Sequence, residues 1–273
     1  MAKVPAVLFS SLSPVSSSSR PQKRTDANSA PTASFRTQLS QSNIQFDFID
    51  GPFESAPAAG VDLFYPPPYY GFWENHTLED LRSACGWLSE YLAKKGPYDA
   101  VMGFSQGTIL ASSYLLLHQE ETPHLPPPFK IAIFHCGAVS LLLLEELGFH
   151  ISPEMRQRDE MSRQALSTQA DSMAILNQGS DRWKGDSLTG GLSEEGLRNE
   201  ITGPIRISIP TVHIYGSKDP RYSASLQLAG ICDPDKRRSY NHGGGHEIPR
   251  RTAVSTAIAE LLEWAMEMAA ESD

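Results

Sequence analysis

The feature that most constrains this chain is the pentapeptide Gly103-Phe104-Ser105-Gln106-Gly107, which fits the pattern G-x-S-x-G. The apolar run Asp99 to Met102 before it predicts a strand, and the run Thr108 to His118 after it predicts a helix. A serine between a strand and a helix is typical of a nucleophile elbow, a tight turn that presents the hydroxyl above the sheet. Glycine at both ends of the pentapeptide leaves room for a crowded backbone. The segment therefore predicts a nucleophilic Ser105, with the amide of Gln106 facing a developing oxyanion.

The composition limits the classes of partner. The 273 residues carry a formal net charge of -9 and no long basic run, which argues against nucleic acid as the main partner. The three cysteines, Cys85, Cys136 and Cys232, have no metal-ligand spacing and imply no disulfide framework, so we expect a reducing compartment and a cytoplasmic protein. No run is long and apolar enough to span a membrane. We expect a neutral or apolar small-molecule ligand, no membrane partner, and neither a metal nor a cofactor.

The N-terminal segment allows two interpretations. Residues 1–25 are serine-rich, contain Arg20, Lys23 and Arg24, and have no acidic residue, a composition that resembles a transit peptide. Alternatively, Val4 to Phe9 is simply the first strand, and this interpretation is the one we favour. The low-complexity segment that follows, residues 10–34, is rich in serine, proline and threonine, so it predicts a disordered or irregular insert.

Strands and helices alternate along the rest of the chain. Further strands are predicted at Ile44 to Asp50, Lys130 to Cys136, Ile209 to Gly216 and Arg238 to Asn241, and further helices from Thr77 to the Gly96-Pro97 stop, at Ser223 to Cys232 and at Thr252 to Ala270. Such alternation predicts one α/β domain over residues 1–273, with a mostly parallel sheet and helices on both faces. The polar, weakly periodic segment 152–205 lies where a lid or cap would be inserted, although an ordinary surface excursion fits the pattern equally well.

An aromatic, proline-rich segment, Asp62 to Trp73, shows neither a helical nor a strand period. Leaving so many aromatic side chains in water is costly, so they must be covered by something. One interpretation is a loop that packs flat on the edge of the sheet. The other makes Tyr69, Phe72 and Trp73 one wall of an apolar acyl pocket.

Catalysis by Ser105 requires a base, since a serine hydroxyl is a weak nucleophile until its proton is removed. Histidine is the expected base, and a carboxylate is expected to hold its tautomer. Asp219 follows a predicted strand and His246 lies in a glycine-rich loop, so the chain order is Ser, Asp, His. His242, four residues earlier in the same loop, is the alternative base. The alternative acids fit less well, since Asp233 and Asp235 follow a helix and Asp50 comes too early in the chain.

Four motifs together resemble the fungal serine hydrolase family, which also includes proteins similar to the ovarian cancer-associated gene 2 product. They are Asp50-Gly51-Pro52, the elbow, Gly216-Ser217-Lys218-Asp219-Pro220 and Gly244-Gly245-His246. The resemblance covers the chain from about Ile44 to the C-terminus, with 152–205 poorly matched, and it implies an α/β-hydrolase fold with a triad of Ser105, Asp219 and His246. In that family, several members accompany fungal polyketide synthases and release an acyl chain from the carrier protein as esterases or thioesterases. The resemblance implies a similar activity for this chain.

One segment departs from the family pattern. After its first strand the family has a Leu-His-Gly type of sequence whose backbone amide is the second oxyanion donor, whereas this chain has Leu8-Phe9-Ser10-Ser11. Ser10 then stands where the second donor is expected, opposite Gln106. We therefore expect a serine esterase or thioesterase that acts on an apolar acyl chain, with an acyl carrier domain as a possible partner. The alternatives are a weak or silent hydrolase fold used for binding, and an acyltransferase that uses the same triad.

Overall fold

The computed structural model describes residues 4–9, 26–39, 44–57, 63, 66–185 and 188–271. Strands and helices alternate through the whole of this part of the chain. The strands are β1 (Val4–Phe9), β2 (Ile44–Ile49), β3 (Phe53–Ser55), β4 (Tyr69–Gly71), β5 (Ala100–Phe104), β6 (Ile131–His135), β7 (Thr211–Tyr215) and β8 (Arg237–Asn241). The helices are α1 (Asp26–Gln38), α2 (Leu78–Lys95), α3 (Gln106–Glu121), α4 (Leu141–Glu146), α5 (Pro153–Ala170), α6 (Ser172–Gln178), α7 (Glu194–Asn199), α8 (Tyr222–Gly230) and α9 (Thr252–Ala270).

Six of the strands form one parallel sheet in the order β2-β1-β5-β6-β7-β8. The strand at Val4–Phe9 is confirmed, and it lies inside the sheet between β2 and β5. Pro5 lacks an N–H, yet it is tolerated there because pairing with β5 begins only at Ala6. The carboxyl ends of β5, β7 and β8 share one edge of the sheet, so the loops that follow them can meet.

Alternate residues of the central strands face opposite layers of helices. Ala100 and Met102 of β5 belong to a buried cluster with α1 and α9, whereas Val101 between them belongs to the cluster built by α2 and α3. Strand β6 repeats the pattern, with Ile131 and Ile133 on the first side and Ala132 and Phe134 on the second. Because both faces are covered, β5 is apolar throughout and β6 is apolar up to its last residue, His135, as the sequence indicated.

Two predictions about irregular segments need correction. Residues 26–34, which we expected to be part of a disordered or irregular insert, belong to helix α1, and Phe35 and Leu39 at its end are buried against the sheet. Residues 10–25 of that insert lie outside the described residues. The aromatic segment is also not wholly irregular, since β4 pairs antiparallel with β3 in a small second sheet. A three-residue strand has no sequence period of its own, and only its partner defines it.

The segment 152–205 between β6 and β7 carries the helices α5, α6 and α7, which its weak sequence periodicity indicated only poorly. Its buried residues are few, and they include Met155, Trp183, Leu197 and Ile201. Most residues of α5 are polar, and no residue of α6 is fully buried, so the helical period of apolar residues is weak. Across the described residues, none of these or the other helices is long and apolar enough to cross a membrane.

Two strand histidines make the fold sensitive to acid. Burial lowers the pKa of His135 and of His213 to about 3, whereas imidazoles in an unfolded chain titrate near pH 6.5. Between these values the unfolded chain binds more protons, so the free energy of unfolding falls as pH falls from about 6.5 towards 3. The slope is up to about 1.4 kcal/mol per pH unit for each histidine. Urea unfolding at pH 7, 6 and 5 measures this loss, and His213→Gln should make it shallower. An unchanged slope in the variant contradicts the assignment.

Candidate active site

The turn at Ser105 is strained in the way that a nucleophile elbow requires. Ser105 has φ 52° and ψ -115°, between the last residue of β5 and the first residue of α3. A positive φ is uncommon for a residue with a side chain, and it is found mostly where function demands it. The turn is fixed to the neighbouring strand because the Ser105 N–H donates to the carbonyl of His135 at 3.1 Å. The strand, turn and helix predicted around this serine are confirmed.

Gly103 permits the close approach of β5 and α3 at this turn. A Cβ atom at Gly103 would lie 2.5 Å from the backbone nitrogen of Thr108 and 2.6 Å from the carbonyl of Gly107. Both atoms belong to rigid backbone, so any side chain at this position would push the helix away from the strand. The Thr108 hydroxyl also donates to the carbonyl of Gly103 at 2.8 Å, which ties the helix to the end of β5.

The loops after β7 and β8 are joined by backbone hydrogen bonds. The Lys218 N–H donates to the carbonyl of Gly244 at 2.9 Å, and Asn241 Oδ1 accepts from the N–H groups of Ser217 at 3.0 Å and Gly243 at 2.9 Å. Gly216 is required because a Cβ atom there would lie 2.0 Å from the carbonyl oxygen of Gly244. The two loops therefore behave as one support that carries an aspartate and a histidine towards the elbow.

Ser105, His246 and Asp219 form one continuous hydrogen-bonded chain. Nε2 of His246 lies 3.0 Å from Oγ of Ser105, and Nδ1 of His246 lies 2.8 Å from Oδ2 of Asp219. These distances are those expected between a nucleophile, its base and the carboxylate that orients the base. The imidazole ring also packs against Phe104, with ring centroids 5.1 Å apart, which limits its rotation. The structure thus brings together three residues that are distant in sequence, since His246 lies 27 positions after Asp219 and 141 positions after Ser105.

The Asp219 carboxylate is fully buried and has hydrogen-bond partners on both oxygens. Oδ2 faces His246, and Oδ1 accepts from the backbone N–H of Arg221 at 2.8 Å. The Arg221 side chain is also buried, where it forms an ion pair with Asp159 at 2.8 Å and donates to the hydroxyl of Ser162 at 2.5 Å. Arg221 therefore connects the loop of Asp219 to helix α5, a link that no sequence motif indicated.

The alternative histidine has a structural role. His242 is buried, and its Nδ1 accepts from the N–H of Gly244 at 3.1 Å within the same loop. Burial lowers its pKa to about 4, so its ring is neutral near pH 7 and can act as this acceptor. The alternative acid Asp233 caps a short 3₁₀ turn by accepting from the N–H of Asp235 at 3.0 Å. Neither residue takes part in the hydrogen-bonded chain at Ser105.

Gln106 contributes to the site through its backbone and its side chain. Its N–H begins helix α3 and is one of the amides that a helix leaves without an intrahelical acceptor, which suits an oxyanion. Its side-chain Oε1 accepts from the Phe72 N–H at 3.1 Å, and Nε2 donates to the Trp73 carbonyl at 3.2 Å. The side chain thereby fixes the aromatic segment to the elbow. The second expected donor, Ser10, lies outside the described residues, one position beyond β1 where Phe9 pairs with Gly103.

A pocket of about 370 Å³ is lined by Ile109, one helical turn along α3 from Ser105, although Ser105, Asp219 and His246 are not among its lining residues. Trp73 lines it as expected, but the other two residues of the predicted acyl wall do not. Phe72 is fully buried in the core against Trp87, and Tyr69 is buried outside the pocket lining. Both interpretations of the aromatic segment therefore hold in part, since it packs on the core and also places the indole of Trp73 at the pocket. Only the tertiary contacts determine which ring faces which way.

Cys136 is a residue of the site that the sequence did not single out. It follows β6 with φ 44°, an uncommon conformation for a residue with a side chain. Its thiol lies 3.5 Å from the carbonyl of Glu247 and 4.0 Å from that of Gly245, the residues on either side of His246. Burial and then the charge of Asp219 raise the pKa of this thiol well above its ordinary value, so it remains a hydrogen-bond donor.

Cys136, Asp219 and His246 also form a group of possible metal ligands, the only one found in the described part of the chain. Their ligand atoms lie within 4.8 Å of one another. The hydrogen bond between His246 and Asp219, together with the contacts of the thiol to the two flanking carbonyls, accounts for this proximity. The proximity of these three residues is therefore explained by contacts that hold His246 in position.

A parallel sheet with a serine elbow after β5, an aspartate after β7 and a histidine after β8 defines an α/β-hydrolase. The chain belongs to the serine hydrolase (FSH1) family, whose model matches residues 24–258. The family expected from the motifs is thus confirmed, and the protein is a serine hydrolase.

The relatives of this chain are named as esterases and hydrolases. Esterase alnB of Emericella nidulans is 29% identical over 248 residues, which cover 82% of this chain and 87% of the relative. Esterase FPY3 of Fusarium mangiferae is 31% identical over 223 residues, which cover 80% of each chain. Hydrolase FUB4 of Gibberella moniliformis is 27% identical, with 81% of this chain and 86% of the relative covered. Hydrolysis of a small-molecule ester is the activity consistent with these relatives.

Solved structures confirm the fold class. A Bacillus cereus carboxylesterase matches with a TM-score of 0.50 and 14% identity, covering 96% of this chain and 88% of its own. A carboxylesterase from Mesorhizobium loti matches with a TM-score of 0.50 and 11% identity, over the same shares of the two chains. At such identities the likeness shows the α/β-hydrolase fold alone.

We predict that Cys136 is a positioning residue for His246. Cys136→Ala removes the thiol donor between the two flanking carbonyls, so kcat for an ester should fall roughly tenfold with little change in KM, since a misplaced base slows the chemical step. Cys136→Ser keeps a donor and should recover most of the loss. Steady-state kinetics measure both variants. The control is Cys232→Ala, a buried cysteine that contacts the Leu228 carbonyl away from the site and should leave kcat unchanged. Equal losses at the two cysteines would argue for a general effect on stability.

Proposed function

We propose that this protein is an esterase in which Ser105 is the nucleophile, His246 the general base and Asp219 the residue that orients the base. The observation that supports this most strongly is the unbroken hydrogen-bonded chain from Oγ of Ser105 through the imidazole to the buried carboxylate. The strained backbone at Ser105 is a second, independent support, because such strain is kept where function requires it.

The first half of the reaction acylates the serine. Oγ of Ser105 attacks the ester carbonyl while Nε2 of His246 takes the hydroxyl proton, and Nδ1–H of His246 donates to Asp219 throughout. The imidazolium then returns that proton to the departing oxygen or sulfur, which leaves as an alcohol or a thiol. Burial of Asp219 makes its charge effective in stabilising the imidazolium.

The tetrahedral intermediate needs hydrogen-bond donors for its oxyanion. The N–H of Gln106 points from the start of α3, where the helix dipole also favours negative charge. A second donor is expected from the backbone after β1, at or near Ser10, since β1 ends beside the elbow. In the second half of the reaction, water activated by His246 attacks the acyl-enzyme and releases the acid.

The finer assignment concerns the leaving group and the acyl chain. We propose that the substrate is a thioester or ester of a polyketide-type acyl chain, and that an acyl carrier domain presents it. The family resemblance supports this proposal, as does a pocket of about 370 Å³ beside the elbow, a volume within the usual range for small-molecule sites. Several apolar residues line the pocket, among them Trp73, Leu81 and Ile109.

Removal of the nucleophile tests the proposed mechanism. We expect Ser105→Ala to lower kcat for p-nitrophenyl esters on the order of 10⁶-fold, because no group remains for the base to activate. His246→Ala should cost a similar amount, whereas His242→Ala leaves the three catalytic residues in place and should retain measurable turnover. Wild-type turnover by the serine variant would refute the mechanism.

Labelling by a fluorophosphonate probe separates an active serine hydrolase from a silent hydrolase fold. The probe reacts only with a serine that has been activated, so we expect one covalent adduct at Ser105 in the wild-type protein. Mass spectrometry of the digested protein locates the adduct, and Ser105→Ala is the matched control. An unlabelled but folded wild-type protein would favour a binding role.

A comparison of thioesters tests the carrier partner. A butanoyl group on an acyl carrier domain should be hydrolysed with a higher kcat/KM than the same group on N-acetylcysteamine, because contacts with the carrier add binding energy remote from the reacting carbonyl. A gain of about tenfold or more is expected. Equal values for the two thioesters would remove the carrier from the proposal and leave the esterase assignment intact.

A further inference from the structure

The pocket beside the elbow has two chemically different walls. One wall belongs to the core of the fold and is mainly apolar, and it includes Trp73, Leu81, Ile109 and Val139. The opposite wall belongs to helix α5 and to the start of α8, and all its members are charged. They are Arg156, Asp159, Glu160, Arg163 and Arg221.

The charged wall is a continuous face of one helix. Arg156, Asp159, Glu160 and Arg163 occupy positions i, i+3, i+4 and i+7 of α5, so they lie on one side of it and line the pocket together. A helix that bordered an ordinary apolar acyl pocket would present leucine or phenylalanine at these positions. The polar stripe that made the segment hard to interpret in the sequence is therefore the side that faces the pocket.

Ion pairs hold this wall in place. Asp159 pairs with the buried Arg221 at 2.8 Å and with Arg163 at 3.1 Å, and Arg163 also pairs with Glu160 at 2.8 Å. At the outer end of the stripe, Arg156 pairs with Glu145. Because Arg221 also donates its N–H to Asp219, the wall is fixed relative to the catalytic loop. The largely buried Asp159–Arg221 pair therefore anchors the wall, whereas the more exposed Arg156, Glu160 and Arg163 present further donors and acceptors along it.

A plain alkyl chain is a poor match for such a wall. Covering charged groups with methylene groups removes their water and returns no hydrogen bond, which costs free energy. An acyl chain that carries oxygens on one edge can replace the lost water by hydrogen bonds, while its other edge contacts the apolar wall. The mixture of signs, with three arginines and two carboxylates, gives no strong preference for a charged group.

His76, which also lines the pocket, supports the same preference for an oxygenated acyl chain. Burial and then the nearby charges of Arg163 and Arg221 lower its pKa, so its ring is neutral near pH 7 and can both donate and accept. Neutral oxygens, as in oxo and hydroxyl groups, are the partners that suit a neutral imidazole beside compensated ion pairs.

We propose that the acyl groups this site selects are oxygenated, with neutral oxo or hydroxyl groups along the edge that faces α5, and that unsubstituted alkyl chains are poorer substrates. The inference rests on the proposed function, because it assumes that the acyl group bound to Ser105 enters this pocket. It names the wall that determines specificity, formed by α5 and Arg221, and it differs from the expectation of an apolar acyl chain.

Two esters of equal length provide the direct test. p-Nitrophenyl hexanoate and p-nitrophenyl 5-oxohexanoate share their leaving group and their chain of six carbons, and they differ by one oxo group four bonds from the reacting carbonyl. Ile109, which lines the pocket, lies one helical turn and about 6 Å along α3 from Ser105, a distance comparable to that between the reacting carbonyl and the oxo carbon of the ester. We expect kcat/KM for the oxo ester to be roughly five- to tenfold higher, the gain of a net hydrogen bond or two.

A charge-neutral double variant tests the wall itself. Glu160→Leu with Arg163→Leu removes the ion pairs of Arg163 with Glu160 and with Asp159, and leaves Asp159 paired with Arg221. The preference for the oxo ester should disappear or reverse in favour of hexanoate. Glu160→Gln with Arg163→Gln retains polar groups and should keep part of the preference. The matched control is Glu90→Leu with Lys94→Leu, an exposed ion pair on α2 outside the pocket lining, which should leave the ratio of the two kcat/KM values unchanged.

The outcomes distinguish this inference from the esterase assignment, with p-nitrophenyl acetate as the common reference. An oxo preference that the leucine pair abolishes and the control pair keeps supports the inference. Hydrolysis of acetate and hexanoate without any oxo preference overturns the inference and leaves the esterase intact. A preference that survives in the leucine pair overturns the role of the α5 wall. Failure of the folded wild-type protein to hydrolyse any of the three esters overturns the proposed function, and the inference with it.

Discussion

The buried carboxylate of Asp219 is the group around which this structure is organised. A carboxylate buried away from water must have its hydrogen bonds supplied by the protein. The partners of Asp219 are one distant side chain, His246, and one local backbone N–H, that of Arg221 two residues further along the same loop. His246 reaches it from the loop after β8, while the backbone of Arg221 reaches it from the start of α8. Through the side chain of Arg221 the same centre also holds helix α5, so one buried charge sets the positions of the base and of a pocket wall.

The elbow has a different role, because it presents a reactive hydroxyl on a rigid backbone turn. The strained backbone conformation of Ser105 is maintained by β5 before it and α3 after it, and Gly103 allows these two elements to pack closely. Gln106 then serves two purposes, since its side chain holds the aromatic segment while its amide begins the helix. Cys136 supports the opposite side of the site beneath His246. Catalytic geometry here depends on neighbours as much as on the triad.

The pocket shows how an inserted segment can determine specificity without touching the reacting atoms. The core fold supplies an apolar wall, which any α/β sheet covered by helices can supply. The segment between β6 and β7 adds a charged helix face, and its ion pairs with Arg221 fix that face beside the elbow. Chemistry and selectivity thus reside on different parts of the chain, joined by one arginine.

The sequence by itself determined the six strands of the main sheet and their order along the chain, together with α2, α3, α8 and α9, because strand and helix periods are local properties of the chain. It also identified Ser105, Asp219 and His246, since their positions after predicted strands follow from the rule that parallel strands end at one edge. The tertiary structure alone decided which neighbours complete the site. Phe72 is in the core while Trp73 lines the pocket, and Cys136 and Arg221 belong to no motif, because their roles come from contacts between segments far apart in sequence. Helix α5 was obscured for a related reason, since its polar face is turned towards a pocket that only the folded chain creates.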